Sequence, residues 1–222
     1  MSVASCGVAA SSTYSTAADV ASALDHLCAG HPPLRRLLAC HGYPPFWRRT
    51  PGFATLVLII LEQQVSLASA HAVYPRVRAQ LGEVTPDAVT QAGAAALGLA
   101  GVTRPKQRAV LALAEACRCG ALDLAALDRL PDDAVADALT ALPGVGPWTA
   151  NVYLLMVLCR TDVWPVHDVA LHEALRRALG AAQRPGAHEA LNWAEGCRPH
   201  RAAAARLLYH ARLRDTGRTM SA

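Results

Sequence analysis

A glycine-containing turn between two apolar stretches is the segment best suited to bind a ligand. Its sequence, from Leu142 to Asn151, is LPGVGPWTAN. Glycine tolerates positive φ and close backbone approach, and Pro147 suits the first turn of a helix, where no N–H donor is needed. The turn therefore predicts a group of unpaired N–H donors at a helix N-terminus, which is a binding site for an anion such as phosphate.

An aspartate, Asp168, follows twenty residues after Trp148, in the sequence DVWPVHDVAL. Its position at the start of a predicted helix favours a helix-capping role. Its position along the chain alone therefore predicts a plain helix cap.

The charged residues are consistent with a polyanionic partner but are not diagnostic of one. The codon bias of a GC-rich genome is the favoured explanation for the excess of arginine over lysine. The 222 residues include 21 basic and 17 acidic side chains, a formal net charge of +4. Lys106 is the only lysine, so nearly every cation is an arginine, whose planar group pairs bidentately with phosphate. The seven cysteines form no C-x-x-C pair, which predicts reduced thiols.

Targeting and membrane-spanning segments are not predicted. The N-terminal sequence MSVASCGVAASSTYS lacks the basic and apolar stretches of a signal peptide. The longest apolar run, Phe53 to Leu61, is too short to cross a bilayer. We expect a cytoplasmic monomer without membrane contact.

The element pattern predicts an all-α protein. Alanine, leucine and arginine favour helix, and strand signals are sparse. We expect residues 1–16 to be a disordered tail, residues 17–45 with 160–222 to form a terminal helical lobe, and residues 46–159 to form a central lobe that carries the turn. The predicted helix from Gly52 to Val65 is apolar on nearly all sides, and its polar end, Glu62 to Ser66, should emerge at a surface or cleft.

Four segments, in order, resemble the helix-hairpin-helix–Gly/Pro–Asp superfamily of DNA glycosylases. They are LIILEQQVSLASA, LGLAGVTRPKQRAVLALAEA, LPGVGPWTANVYLL with the following DVWPVHDVAL, and CRPHRAAAARLLYHA. Their order is similar to that of the 3-methyladenine DNA glycosylase II family, in its compact form without an N-terminal β-domain, over roughly residues 50 to 212.

The resemblance implies two helical lobes with a DNA-binding cleft between them. It implies a monofunctional DNA glycosylase that flips alkylated purines, of the 3-methyladenine type, out of double-stranded DNA and hydrolyses the N-glycosidic bond in base excision repair. The protein would associate with the nucleoid when bound to DNA. Asp168 would be the catalytic carboxylate, which stabilises the positive charge that develops on the sugar when the glycosidic bond breaks. The resemblance favours this role over a plain helix cap, and one side chain can serve both. The candidate walls of the base pocket are Trp148, Trp164, Tyr209 and Tyr153. Core packing is the alternative for each aromatic residue, and we favour it for Tyr153.

The resemblance also implies two regions that contact DNA. The first is the hairpin, where the amides of Gly144, Gly146 and Thr149 would hold a phosphate, a contact that positions DNA without reading bases. The second faces the minor groove and includes Gln63, Gln64, Ser66 and, in the neighbouring motif, Lys106. Of these, Gln64 is the candidate wedge that fills the gap left by the flipped base.

No organic cofactor or iron–sulfur cluster is expected, because only Cys197 lies near the C-terminus. A structural Na⁺ or K⁺ could bind the main-chain carbonyls of Thr140, Leu142 and Gly144. Strand-cutting relatives place a Schiff-base lysine two residues after the second hairpin glycine, a position occupied here by Trp148, so we predict no lyase activity.

Several alternatives remain open at the level of sequence. The rival function is a non-catalytic helix-hairpin-helix module that binds damaged DNA. A third is a bifunctional glycosylase for oxidised bases, which the lysine count disfavours. His167 is more consistent with a hydrogen-bonding neighbour of Asp168 than with a general acid. The arginines of the last motif, Arg198, Arg201 and Arg206, either flank DNA or form a solvated helix face.

Overall fold

The computed structural model describes residues 12–217, and secondary structure in that range is helical. It contains eleven α-helices and a 3₁₀ turn at Leu127–Arg129, and its β pairing is limited to an isolated bridge between Thr13 and Arg160. The prediction of an all-α protein is confirmed. No helix within residues 12–217 combines the length and apolarity needed to cross a membrane.

The helix bounds follow the capping and breaking residues of the sequence. The helices are α1 Ala17–Gly30, α2 Pro32–His41, α3 Phe53–Glu62, α4 Leu67–Leu81, α5 Pro86–Leu99, α6 Arg104–Arg118, α7 Asp132–Thr140, α8 Pro147–Met156, α9 Val169–Leu179, α10 Ala187–Glu195 and α11 Arg201–Asp215. Thr85 accepts a hydrogen bond from the N–H of Ala88 and so caps α5. Gly93, with φ of 69°, divides α5 into two short helical segments.

Contacts between helices fall into two sets, which we call the central group and the terminal group. The central group is α3 to α8, in which α3 packs against α4, α6 and α8. The terminal group is α1, α2 and α9 to α11, in which α11 packs against α1, α2, α9 and α10. Five of the ten residues of α3, among them Leu56 and Ile60, are completely inaccessible or nearly so, as expected for an apolar helix at the centre of a core.

Residues 12–16 differ from the predicted disordered tail of residues 1–16. The N–H of Tyr14 donates to the carbonyl of Cys159, and the N–H of Thr161 donates to the carbonyl of Ser12. The Tyr14 ring is buried, and its hydroxyl pairs with Nδ1 of His200. The prediction is wrong for these residues because a buried aromatic ring and backbone pairing offset the entropy of ordering the chain. Residues 1–11 lie outside the described range.

Arg206 on α11 joins the terminal group to the central group. Its side chain is 0% exposed and donates to the carbonyls of Trp47 and Leu155, at 2.7 and 2.6 Å. Its guanidinium carbon lies 5.4 Å from the centre of the Phe46 ring, a cation–π distance. The suggestion that Arg206 flanks DNA is therefore wrong, since the group is enclosed by backbone carbonyls and an aromatic face.

Candidate active site

Asp168 precedes α9 and caps it. Its backbone is extended, and its Oδ1 accepts a hydrogen bond of 2.8 Å from the N–H of Leu171. A carboxylate at a helix N-terminus is stabilised by that bond and by the positive end of the helix dipole. The capping role considered for Asp168 from the sequence is therefore present in the structure.

The second oxygen of Asp168 is held by two aromatic side chains from different helices. Nε1 of Trp148, in the first turn of α8, donates to Oδ2 at 2.8 Å. The hydroxyl of Tyr209, on α11, donates to the same oxygen at 2.9 Å. Burial, followed by the nearby Asp168 charge, raises the pKa of Tyr209 well above its ordinary value of 10, so the phenol keeps its proton.

This arrangement produces a fixed carboxylate in a mostly dry setting. Asp168 is only 8% exposed, and three donors determine the orientation of its carboxylate plane. Oδ2 has two of these donors, whereas Oδ1 has one and can accept another hydrogen bond. Such a group can stabilise a developing positive charge without reorganising and can orient a water molecule.

Two histidines lie near Asp168 along the chain. His167 is exposed and has a positive φ of 65°, an uncommon conformation for a residue with a Cβ. His172, one helical turn after Asp168, is buried, and burial lowers its pKa below the ordinary value of 6.5 despite the opposing Asp168 charge. His172 is therefore neutral at physiological pH. The sequence did not single it out, because a histidine inside an amphipathic helix carries no specific signal.

Glycine occupies the two hairpin positions for different structural reasons. Gly144 has φ of 80°, and a Cβ at this position would lie 2.8 Å from Cβ of Ala109 on α6. Gly146 has an extended backbone, and a Cβ there would meet no described atom within 4 Å. The fold therefore requires glycine at Gly144, whereas at Gly146 the missing side chain leaves the backbone open to an outside ligand.

Backbone donors of the hairpin are available for such a ligand. Among the described residues, no acceptor is present for the N–H groups of Gly144, Gly146 and Thr149, three donors predicted to hold phosphate. They lie at the N-terminus of α8, where the helix dipole also favours negative charge. Thr149 itself is buried, and its hydroxyl accepts from Nε2 of Gln63 at 2.9 Å.

The predicted minor-groove residues occupy the turn between α3 and α4. Gln64 is exposed, has a positive φ of 56° and makes no hydrogen bond within the described residues. Ser66 caps α4 by accepting from the N–H of Ser69. Gln63 points instead toward the hairpin, where its Nε2 donates to the carbonyl of Gly144 at 3.0 Å. Gln64 is therefore free to contact DNA, whereas Gln63 is engaged inside the protein.

Lys106 is bonded to the backbone of the central group. Its Nζ donates to the carbonyl of Leu61, in the last turn of α3, at 2.7 Å. Partial burial lowers the pKa of its ammonium group. The DNA contact predicted for Lys106 stays a prediction, and the bond to Leu61 gives this side chain a role inside the protein that the sequence did not indicate.

Tyr153 and Trp164 were predicted as candidate walls of a base pocket, and the structure corrects this prediction for both residues. Tyr153 is 0% exposed in the core, and burial raises its pKa to about 12. Trp164 is buried and packs against Trp193, with ring centres 5.9 Å apart. Neither ring is open to a flipped base in this conformation, whereas Trp148 and Tyr209 remain partly exposed. Core packing, the alternative favoured for Tyr153, also accounts for Trp164.

Two of the three carbonyls predicted to bind a monovalent cation accept hydrogen bonds within the protein. The carbonyl of Gly144 accepts from Gln63, and that of Leu142 accepts from the N–H of Val145. Each carbonyl oxygen has two lone pairs, so these bonds leave one acceptor position on each oxygen. The cation site formed by Thr140, Leu142 and Gly144 stays a prediction, and no group of His, Cys, Asp or Glu suited to a metal occurs within residues 12–217.

Arg198 and Arg201 are paired with acidic side chains. Arg201 donates to Asp162 at 2.8 Å and to Glu195 at 2.9 Å, and Arg198 donates to the same two carboxylates. The network connects α10 and α11 to the segment that precedes Asp168. Arg198 is exposed, as expected for a solvated helix face, whereas the side chain of Arg201 is only 13% exposed and is enclosed by the network. That these arginines flank DNA stays a prediction.

An ion pair lies beneath the turn between α3 and α4. The guanidinium group of Arg49 pairs with both oxygens of Glu62, at 2.7 and 2.9 Å, and both residues are buried. Glu62 was expected to emerge at a surface with its polar neighbours. It is buried instead because a bidentate arginine supplies the charge and hydrogen bonds that a buried carboxylate needs.

Comparisons with known proteins agree with this geometry. Residues 57–199 match the family model described as HhH-GPD superfamily base excision DNA repair protein. The chain is 26% identical over 161 residues to DNA-3-methyladenine glycosylase 1 of Schizosaccharomyces pombe, covering 71% of each protein. It is 30% identical over 66 residues to a Bacillus subtilis protein named as a putative DNA-3-methyladenine glycosylase, covering 30% of this chain and 23% of that protein.

Solved structures of similar proteins share the fold. A DNA-3-methyladenine glycosidase from Bacillus halodurans aligns with a TM-score of 0.74 and 26% identity, over 88% of this chain and 91% of that one. The Schizosaccharomyces pombe 3-methyladenine DNA glycosylase, solved with abasic DNA, aligns with a TM-score of 0.77 and 24% identity, over 85% and 95%. With the family match covering more than half of its length, the chain belongs to the HhH-GPD superfamily of base excision DNA repair proteins.

Proposed function

We propose that this protein is a monofunctional DNA glycosylase that releases alkylated purines, of the 3-methyladenine type, from double-stranded DNA. The observation that carries the proposal is the Asp168 carboxylate, fixed by Trp148 and Tyr209 beside a hairpin with free backbone donors. The names of the similar proteins support the same substrate class. The protein acts as a monomer in the cytoplasm, and it needs no cofactor.

DNA is anchored through its backbone. The free N–H groups at the start of α8 bind a phosphate, and Gly146 allows close approach because it has no side chain. Such contacts position the duplex without reading its sequence. Gln64, exposed at the neighbouring turn, enters the minor groove and fills the gap that the flipped nucleotide leaves.

Hydrolysis then uses the Asp168 carboxylate. The bond between C1′ and the base nitrogen breaks, and its electron pair moves to the base, which neutralises the positive charge of the alkylated purine. The negative Asp168 carboxylate stabilises the oxocarbenium-like sugar. A water molecule oriented by the remaining acceptor site of Oδ1 adds to C1′, and its proton passes to the carboxylate or to solvent.

Selectivity for damaged bases comes from two sources. The indole ring of Trp148 bonds to Asp168 through its edge, which leaves a ring face for a cationic base at a gain of about 0.5–2 kcal/mol. The larger source is the lability of the glycosidic bond of a cationic base, which leaves without an acid to protonate it. The absence of a general acid from the proposed mechanism agrees with the neutral state of His172.

Lyase activity is not part of the proposal. Schiff-base formation needs a free lysine amine at the reacting sugar. Lys106, the only lysine, donates to the carbonyl of Leu61, and Trp148 stands at the position after the hairpin where lyase relatives carry lysine. These two observations support base release without strand cleavage.

Mass spectrometry of bases released from methylated DNA tests the proposal. Asp168→Asn keeps the size and the capping oxygen of the side chain but removes its charge, so release should fall by about 10²–10³-fold or more while duplex binding survives. Asp25→Asn is the matched control, because Asp25 also accepts from a tyrosine but lies at the surface, and it should retain full activity.

Other outcomes would contradict the proposal at identifiable steps. Unchanged release by Asp168→Asn would overturn the role of Asp168. Tight binding of alkylated duplex without any release by the unsubstituted protein would favour the non-catalytic damage-binding module. Borohydride trapping of a covalent protein–DNA adduct would restore the bifunctional alternative.

A further inference from the structure

Lys106 and Ala109 lie on one face of α6, three residues apart, and each contacts a different DNA-facing turn. Lys106 donates to the carbonyl of Leu61, in the last turn of α3 and two residues before the turn Gln63–Ser66, which we call the wedge turn. Ala109 lies directly under Gly144 of the hairpin, so closely that any side chain at position 144 would collide with it. One rigid helix therefore contacts both turns.

Gln63 completes the connection from the other side. Its side-chain amide donates at once to the carbonyl of Gly144 and to the hydroxyl of Thr149, on opposite sides of the hairpin loop. Because the last carbonyls of a helix lack partners in the helix itself, Lys106 also satisfies an acceptor that would otherwise be left to solvent at the end of α3. Lys106 thus holds the end of α3 that leads into the wedge turn, and Gln63 holds the wedge turn itself against the hairpin.

We propose that Lys106 and Gln63 are positioning residues that set the distance between the wedge turn and the hairpin, and so couple insertion of the wedge to anchoring of the phosphate. The inference rests on the proposed function. Neither side chain contacts DNA in this role. The ammonium group of Lys106 has its carbonyl partner, and the Gln63 amide has both of its N–H groups directed at protein oxygens. Gln64 and Val65, which follow, remain exposed for the duplex.

Two variants remove these contacts at nearly constant size. Lys106→Met deletes the donor to Leu61, and Gln63→Glu replaces two donors with an acceptor that opposes the Gly144 carbonyl. Gln80→Glu, an exposed residue on α4, is the matched control for the change of charge. Lys106→Arg keeps a donor at position 106 and should retain more activity than Lys106→Met.

The single-turnover rate of base release should be measured with two duplexes. In one the alkylated base is normally paired, and in the other it lies opposite an abasic analogue, where extrusion needs less unpairing. Lys106→Met removes one hydrogen bond and should lose about fivefold to tenfold on the paired substrate. Gln63→Glu removes two and should lose at least as much. Both variants should lose clearly less on the unpaired substrate. Equal losses on both substrates, accompanied by a lower melting temperature, would show a general structural role and overturn the proposal.

Salt dependence separates positioning from direct contact. A lysine on a phosphate contributes about 0.9 to the slope of log affinity against log salt, so Lys106→Met should leave the slope unchanged. A slope lower by about one would place Lys106 on the DNA and overturn the proposal.

Hydrogen exchange without DNA tests the coupling independently of activity. Amides of Gln64, Val65 and Ser66 should exchange faster in Lys106→Met and Gln63→Glu than in Gln80→Glu. Exchange unchanged from the control would refute the attachment. If the unsubstituted protein released no base, the proposed function would be wrong. The exchange rates would still show whether Lys106 and Gln63 attach the wedge turn to the hairpin.

Discussion

Tyr209→Phe should destabilise the protein by an amount that reports how strongly the Asp168 carboxylate depends on its aromatic donors. The substitution removes a hydroxyl that donates to Oδ2 at 2.9 Å, while the ring and its packing remain. A hydrogen bond to a charged group contributes about 1.5–3 kcal/mol, and Asp168 is nearly excluded from water, so the loss in unfolding free energy should lie in this range. The rate of base release should also fall, but less than in Asp168→Asn, because Trp148 and Leu171 still hold the carboxylate.

Tyr43→Phe is the internal comparison. Tyr43 donates to Asp25 at 2.6 Å in the same kind of pair, but it is 50% exposed, so water replaces the lost partner. In urea denaturation, Tyr43→Phe should lower the unfolding free energy by less than about 1 kcal/mol. Both variants should keep the m-value of the unsubstituted protein. A Tyr209→Phe protein no less stable than Tyr43→Phe would refute the reasoning that Tyr209 supports the carboxylate.

The pH dependence of unfolding provides a second measurement of the same contact. The pKa of Tyr209 is raised above its value of about 10 in the unfolded chain, so the stability from its protonated form is fully present below pH 10 and declines as the pH rises further. One such group contributes about 1.4 kcal/mol per pH unit. Tyr209→Phe should therefore flatten the decline above pH 10, although Tyr14 and Tyr153, whose pKa values are also raised, keep part of it. An unchanged alkaline slope would contradict the assignment.

Three other substitutions test the hairpin, the buried ion pair and the N-terminal segment. Gly144→Ala should destabilise the fold by about 1–3 kcal/mol or more, because alanine disfavours the positive φ and its Cβ would collide with α6. Gly146→Ala should preserve the melting temperature, as measured by calorimetry, and should weaken duplex binding, as measured by fluorescence anisotropy. Arg49→Met should cost about 3–5 kcal/mol in chemical denaturation, because it leaves the Glu62 carboxylate buried without its partner. Tyr14→Ala should cost about 3–5 kcal/mol by the same assay, and a negligible effect would mean that residues 12–16 do not support the fold.

Helix positions and the glycine-containing hairpin were accessible from the sequence because they depend on local chemistry. Proline after Thr85, glycine at position 93 and the Gly-x-Gly turn act through backbone conformation, which neighbouring residues largely determine. The structure places breaks and helix starts at each of these points. The family motifs then indicated the importance of Asp168 and Trp148.

Side-chain partners were less accessible because they join residues far apart in the chain. Lys106 was expected at DNA, but the partner that decides its role, the carbonyl of Leu61, is 45 residues away. Arg206 carries the same formal charge as an exposed arginine, and only the fold reveals that backbone carbonyls surround it. Tyr14 resembled a tail residue because its short segment has no pattern of its own.

The site illustrates the same limit. Sequence comparison favoured aromatic residues at positions 148 and 209 for contact with a base, and the partly exposed rings permit this. That both also donate to Oδ2 of Asp168 could not be predicted, since it depends on the angle between α8 and α11. Conversely, Tyr153 and Trp164 have similar chemistry but face the core, and residue type alone does not distinguish these orientations.

The two donors to Asp168 come from different helix groups, with Trp148 in the central group and Tyr209 in the terminal group. A relative rotation of the groups large enough to move either helix end by an ångström would break one of these bonds and disturb the carboxylate. Closure of the two groups around a substrate would therefore disturb the orientation that these bonds give to the carboxylate. When the groups keep their relative position, the deformation required for base release falls on the nucleic acid, which bends and unstacks as the base leaves the helix.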